Sequence, residues 1–230
     1  MADGHGGECF TMRFFKAVVF GDTHDGVQLW EGGPYWATTN IGAEEPWEYG
    51  YYFWWGDTVG YANTGSGWIS VTDGTSISFT NSVPANSTYR KTVSWLRTNG
   101  YIDATDNLVP EHDAAHVHWG GEWRMPTSSE FDALVSNCTT TWTTTNGVAG
   151  YLVTGKGAYA NKSIFLPAAG YGDGLKLNSP GSQGQYWSST PHPSNTMGSF
   201  YLYLKSGGFG CGRFIRYNGQ SVRPVRDSAP

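Results

Sequence analysis

From Trp187 to Val225 the chain reads WSSTPHPSNTMGSFYLYLKSGGFGCGRFIRYNGQSVRPV, and no other stretch restricts the fold as much. Between Phe200 and Lys205 the residues alternate: Tyr201, Tyr203 and Lys205 share one side, Phe200, Leu202 and Leu204 the other. That is the pattern of a strand with one buried face, and the leucine side is expected to be core. Gly207, Gly208, Gly210 and Gly212 then break every pattern. The segment from Gly208 to Ile215 shows neither a two-residue nor a 3.6-residue period, so it is expected to be an irregular surface. Trp187 before it and Ser221 to Val225 after it are expected to be fixed anchors, the latter as a strand.

The rest of the chain must fold without much helix. It holds 32 Gly, 11 Pro and 11 Trp, with 16% aromatic and only 14% charged residues, against about 25% charged in ordinary domains. Such a chain has too many rings to stay disordered and is long enough for a sizeable core built of turns and strands. A net charge of −5 with no basic block argues against nucleic acid as a partner. The longest apolar run, Ala17 to Phe20, is too short to cross a bilayer, and no secretory leader pattern is visible. Cys9, Cys138 and Cys211 are an odd count without a CxxC pair, which removes the usual zinc and redox spacings.

Along the chain, residues 1–27 read as an N-terminal extension, with a first strand suggested from Thr11 to Phe20. Residues 28–226 read as one domain. Within it the Ser-, Thr-, Asn- and Gly-rich stretch from Asp57 to Pro110 reads as an insertion or excursion, with a helix-like piece at Lys91 to Asn99 ended by Gly100. Thr127-Ser128-Ser129-Glu130 has the form of a capping box and predicts a short helix to about Asn137. His112 to Trp119 also has helical character. Strands are expected at Tyr151 to Thr154, Ser163 to Pro167, Gln185 to Ser188 and Phe200 to Lys205. Two short helices and several antiparallel strands in a loop-rich chain describe an α+β domain.

The runs DAAHVHWGGEWRMPTSSEF, NCTTTWTTTNGVAGY and SIFLPAAGYGDG, followed by YWSS and SVRPV, closely resemble the Fibrobacter succinogenes major paralogous domain family. The upstream WATTNIGAEEPWEYGYYFWWGD is similar to that family's opening, so the resemblance covers roughly Trp30 to Val225. It implies a C-type-lectin-like fold, related in architecture to the formylglycine-generating enzymes. The C-terminal part, about residues 171–220, further resembles the variable region of proteins diversified by retroelements, in which adenines of a template are rewritten. Every residue of GFGCGRFI can be reached from an Asn codon with its first two bases randomised; Met197 and Lys205 cannot.

Other chemistry is weaker. His112 and His116 share a helical face beside Glu111 and Asp113, but HDAAH lacks the glutamate of a zinc HExxH and an evident third ligand, so no metal is expected. Asp22, Asp25, Asp57, Asp103, Asp106 and Asp173 suit calcium in type, yet the sugar-binding triplets Glu-Pro-Asn and Gln-Pro-Asp are missing from the sequence, and turns are the better account of them. Ser188 and Ser189 near His192 lack a nucleophile elbow. Oxidase chemistry like that of the formylglycine-generating relatives needs a cysteine pair, and after Cys138 there is only Cys211. The expectation is a non-enzymatic protein without cofactor.

The resemblance and the residue types together place a ligand site on His192, Asn195, Thr196, Phe200, Tyr201, Tyr203, Lys205, Gly208, Phe209, Gly210, Cys211, Gly212, Arg213, Phe214, Ile215 and Asn218. Aromatic rings and Arg are the groups enriched at interface hot spots. The expected partner is a protein or glycan on another cell or surface, met outside the cell on a bacterial surface or phage particle. The alternatives are a surface lectin or adhesin with a fixed ligand and, behind it, an enzyme of the formylglycine-generating type.

Overall fold

A computed structural model describes residues 24–80 and 88–229. The suggested strand from Thr11 to Phe20 and Cys9 lie outside them. The chain is mostly antiparallel strand with few short helices, 39% and 14%, and is loop-rich. In order come β1 (Gly26–Gln28), β2 (Tyr35–Ala37), β3 (Tyr61–Asn63), β4 (Trp68–Ser70), β5 (Ser76–Ile77), α1 (Val93–Thr98), α2 (Ala114–Trp119), α3 (Ser128–Asn137), β6 (Thr139–Thr145), β7 (Val148–Thr154) and β8 (Ser163–Pro167). Then follow β9 (Tyr171–Asp173), β10 (Lys176–Asn178), β11 (Gln183–Pro191), β12 (Gly198–Lys205), β13 (Gly208–Ile215) and β14 (Val225–Arg226). Among the described residues all strand pairs are antiparallel, in sheets β1-β2-β14, β3-β4-β5, β6-β7-β8, β9-β10 and β11-β12-β13.

Local chemistry explains the best-defined elements. At α3 the Thr127 hydroxyl accepts from the Glu130 amide while the Glu130 carboxylate accepts from the Thr127 amide, the reciprocal cap the sequence predicts. Glu130 also receives both arms of Arg124 at 2.7 and 2.8 Å. The turn between β6 and β7 is Asn146-Gly147, both with positive φ of 47° and 83°. Asn-Gly is the pair that adopts this conformation most readily, and its twist matches the flanking strands.

Three differences from the sequence expectation follow from packing. The stretch from Asp57 to Pro110 is not peripheral to the cores: Tyr61, Trp68 and Phe79 fill one buried cluster, and Leu96, Tyr101, Ile102 and Leu108 another. Its helix-like piece at Lys91 to Asn99 is α1, as expected, capped by Thr92 and docked by the buried Leu96. Gly208 to Ile215, expected as irregular, is a regular strand paired with β12 at every residue; its period of two is invisible because alternate positions are glycine. Of Ser221 to Val225 only Val225 lies in a strand, and the segment is held instead by its arginine and by isolated bridges.

That arginine, Arg223, is fully buried. Its Nε donates to Asn40 Oδ1 at 2.9 Å, Nη1 to the Ala37 carbonyl at 2.9 Å and Nη2 to the Phe165 carbonyl at 3.0 Å. One side chain therefore ties the end of β2 and the turn beyond it to β8. Burial lowers its pKa to about 10, the neighbouring Tyr186 opposing that shift, so it stays a cation at neutral pH. Arg223→Leu would keep most of the volume and strip three buried acceptors of their donor, at about 1–3 kcal/mol each before relaxation. We expect urea unfolding to show a loss of at least about 3 kcal/mol; a loss below about 1 kcal/mol would mean that solvent replaces the guanidinium without cost.

Candidate functional site

The hairpin β12-β13 is closed at one end by Ser206-Gly207, with Gly207 at φ 77°, and its register decides which side chains are available. Tyr203 faces Gly210, Tyr201 faces Gly212, Leu204 faces Phe209, Leu202 faces Cys211 and Phe200 faces Arg213. Strand alternation therefore separates Tyr201, Tyr203, Lys205, Gly208, Gly210, Gly212 and Phe214 from Phe200, Leu202, Leu204, Phe209, Cys211, Arg213 and Ile215. The sixteen expected site residues do not form one surface.

The first set makes an aromatic strip. Tyr201 lies 5.3 Å from Phe214 and 6.1 Å from Tyr203 between ring centroids, and Tyr171 on β9 extends the strip to Phe214 at 5.3 Å. The tyrosines lie across the glycines. A Cβ added at Gly212 would sit 2.8 Å from the Tyr201 ring, and one at Gly210 would sit 3.3 Å from the Tyr203 hydroxyl. Rings that cover bare backbone in this way shield an otherwise weak strand. Burial, reinforced by Tyr203, pushes the Tyr201 phenol above its usual range, so Tyr201 is a neutral donor at physiological pH. Beside them a groove of about 300 Å³ is lined by Gln183, Gln185, Tyr201, Tyr203, Leu204 and Lys205. Its Gln185 is 5% exposed, and among the described residues its Oε1 has no donor.

The second set splits. Leu202 and Leu204 are core as expected. Phe209 and Cys211 also turn inward, a correction to their placement on the surface: both pack on the cluster that holds Phe131 and Leu134 of α3, with Phe209 5.0 Å from Tyr151. Burial and the neighbouring Asp132 carboxylate push the Cys211 thiol far up, so it is a packed, unreactive thiol. Phe200, Arg213 and Ile215, nearer the open end, stay partly or well exposed. They adjoin the loop after β11, where the His192 ring lies 5.2 Å from that of Phe200 at a tilt of 35°. His192 Nδ1 accepts from the amides of Ser194 and Asn195, and Asn195 Oδ1 accepts from that of Met197. These side chains shape the loop, with Thr196 half-buried in it. Desolvation, then the charges of Arg213 and Arg216, hold His192 below its ordinary pKa. Asn218 is a second correction: it is 3% exposed and donates to the Gly172 carbonyl at 3.0 Å, so it is scaffold.

Sequence reasoning missed the bolt at the open end. Arg216, 1% exposed, donates from Nε to the Gly198 carbonyl and Ser199 Oγ, and from Nη1 to the carbonyls of Thr88 and Lys91, with its guanidinium 4.6 Å from the Trp55 ring. Burial lowers its pKa to about 9. Gln185 and Tyr171 were missed as well, because only pairing register and tertiary contact bring them to the strip; Trp187 two residues after Gln185 was the one available hint.

The other constellations are occupied by structure. His112 ends a short turn before α2 and stacks on Tyr101 at 3.9 Å, so it does not share a helical face with His116, and His118 Nε2 meets the Thr58 carbonyl at 2.9 Å. Ser188 donates to the Phe200 carbonyl and Ser189 to Asn107 Oδ1, both buried. Asp57 accepts from the Val59 amide and the Tyr61 hydroxyl, and Asp103 from Thr105 and Asn107. A separate cavity of about 320 Å³ brings Asp57 and Glu111 near Trp54, Tyr61, Tyr101 and His112. Cys138 and Cys211 are free thiols. Among the described residues no helix is long and apolar enough to cross a membrane. The chain matches no protein-family model, no curated protein and no solved structure.

Asp113, the residue between His112 and Ala114, caps α2 by accepting from the Ala115 and His116 amides and reaches the Met125 amide at 2.8 Å. Burial pushes its carboxyl up to about 6. A folded pKa above the unfolded value of about 3.9 means stability that is fully present below about pH 4 and is lost as pH rises through about 6. The shift is worth on the order of 2–3 kcal/mol. Urea titrations of the parent and Asp113→Asn are expected to show that slope in the parent alone; parallel pH profiles would contradict it.

Proposed function

We propose that this chain is a non-enzymatic ligand-binding protein with a C-type-lectin-like fold, and that its C-terminal hairpin presents side chains a diversity-generating retroelement replaces between copies. The observation that carries this reading is the position of β13 at the edge of its sheet, paired with β12 along its whole length. Backbone bonds hold such a strand whatever its side chains are. Positions 203, 210 and 212 face away from the leucine core and outside the buried clusters, so they can change without opening a cavity, whereas Tyr201 and Phe214 on the same face also pack against the cluster of Trp55 and Trp187.

The glycines support the same reading. A residue larger than Gly at 212 would drive the Tyr201 ring outward, so a single replacement there reshapes the strip as well as adding a side chain. The ligand is a protein or glycan on another cell or surface, gripped by the rings of Tyr171, Tyr201, Tyr203 and Phe214, with Arg213 serving the opposite side of the hairpin. Tyr and Arg suit that role because they combine large contact area with hydrogen-bonding tips. A bacterial surface or phage particle is the setting in which such a protein meets its ligand.

The test needs no known ligand. A library randomised at 203, 210 and 212 and sorted for protease resistance is expected to remain largely folded. A library randomised at 202, 204, 209 and 211 is expected to collapse, since each emptied leucine site costs about 2–5 kcal/mol. Equal losses in the two libraries would remove the reading. Beside the gene, a reverse transcriptase and a near-copy of the sequence encoding 171–225 that differs at adenines are expected. Glycan-array binding abolished by a calcium chelator would point instead to a fixed lectin.

A further inference from the structure

We propose that β6 is a self-pairing edge through which two copies of this chain join antiparallel, with Trp142 opposite the partner's Trp142. The strand is TTTWTTT, Thr139–Thr145. It lies at the edge of the sheet β6-β7-β8, and among the described residues no strand but β7 pairs with it. Its register with β7 runs unbroken from Thr139 opposite Thr154 to Thr145 opposite Val148, so no bulge bends the free edge away.

Soluble proteins guard such edges with charge, proline, a bulge or a covering element, because an unprotected row of backbone donors and acceptors recruits another strand. The neighbouring edges are guarded. On β8 the Phe165 carbonyl is held by Arg223 and the strand ends in Pro167. β13 carries Arg213 and packs under α3. β6 has no charged residue, no proline and no bulge over seven residues, and threonine is among the residues that favour strands most.

The sequence also says which partner fits. Read from either end TTTWTTT is the same, so antiparallel pairing of two copies about Trp142 sets 139 against 145, 140 against 144 and 141 against 143, threonine on threonine at every position. Cross-strand threonine pairs are favourable, and a two-fold axis requires this self-complementarity. The alternation keeps Trp142 on the face that meets Tyr151, 5.2 Å away, while Thr139, Thr141, Thr143 and Thr145 line the other face. Two three-stranded sheets would thereby become one of six strands. A contact confined to one strand per chain belongs to the small, weak class of interfaces, so the dimer forms with concentration.

Sedimentation velocity of the full chain over a dilution series is expected to show monomer and dimer in exchange, with amide hydrogen exchange slowed in Thr139–Thr145 at high concentration. Thr141→Lys with Thr143→Lys sets like charges across the axis and is expected to weaken the dimer at least about tenfold at unchanged Tm. Thr141→Glu with Thr143→Glu should do the same. An equimolar mixture of the two double variants should recover a heterodimer, because position 141 of one chain faces position 143 of the other. A parent that stays monomeric, or a dimer indifferent to both variants, overturns the proposal. A mixture that stays monomeric while both variants are folded overturns the register. Should the variants not fold, exchange protection in the parent that appears outside β6 overturns it, and a partner strand from a different protein is then the occupant to seek.

Discussion

Arg223 is the constraint on which the rest of the structure depends. A chain with so little helix leaves many backbone carbonyls that no ladder satisfies, and buried carbonyls must find donors. Arg223 meets that need with Asn40, Ala37 and Phe165, and Arg216 meets it with Gly198, Thr88 and Lys91. Among the described residues neither guanidinium bonds a carboxylate. Both serve as rigid, multi-armed donors that convert irregular backbone into fixed geometry, which suits Arg better than Lys because its five N–H groups are preset in one plane. The cost shows in pKa values that burial lowers to about 10 and about 9, still high enough to keep the charge.

Indole groups repeat this solution in neutral form. Trp54 donates to the Tyr217 carbonyl, Trp55 to that of Ser188 and Trp187 to that of Phe53, at 2.7 to 2.9 Å. The aromatic richness of the sequence is thus more than core volume. Each of these three rings fills space and delivers one donor to a carbonyl 133 to 163 residues away, so the stretch around Trp55 and the C-terminal hairpin are mutually locked. The hairpin that offers the candidate surface is held by side chains lying outside that surface.

What the sequence revealed, it revealed through local chemistry. The Thr127–Glu130 cap, the strand over Ser163–Pro167 and the Tyr-Tyr-Lys against Leu-Leu alternation of β12 each rest on residues within a few positions of one another. What it concealed depended on tertiary partners or on missing side chains. β13 could not be read because Gly208, Gly210 and Gly212 carry nothing to alternate with Phe209 and Cys211. The inward turn of those two became evident only when β12 and α3 were in place. Asn218 looked like surface because it lies in the segment read as variable, yet Gly172, 46 residues away, takes its amide. Arg216 and Arg223 look like any other arginines in the sequence, and only their burial distinguishes them.

The same glycines that hid β13 give the hairpin its character. A strand closed by the turn at Gly207 and bolted beyond its other end by Arg216 is fixed at both limits, so the path between them does not depend on the side chains it carries. Glycine at alternate positions is ordinarily a weakness in a strand, and here Tyr201 and Tyr203 offset it by lying over the bare backbone. The exposed face is then defined by rings borne on β12 and by absences on β13. Adding a side chain on β13 moves a ring on β12, and the surface can therefore change shape through one strand while the other keeps its leucines in the core.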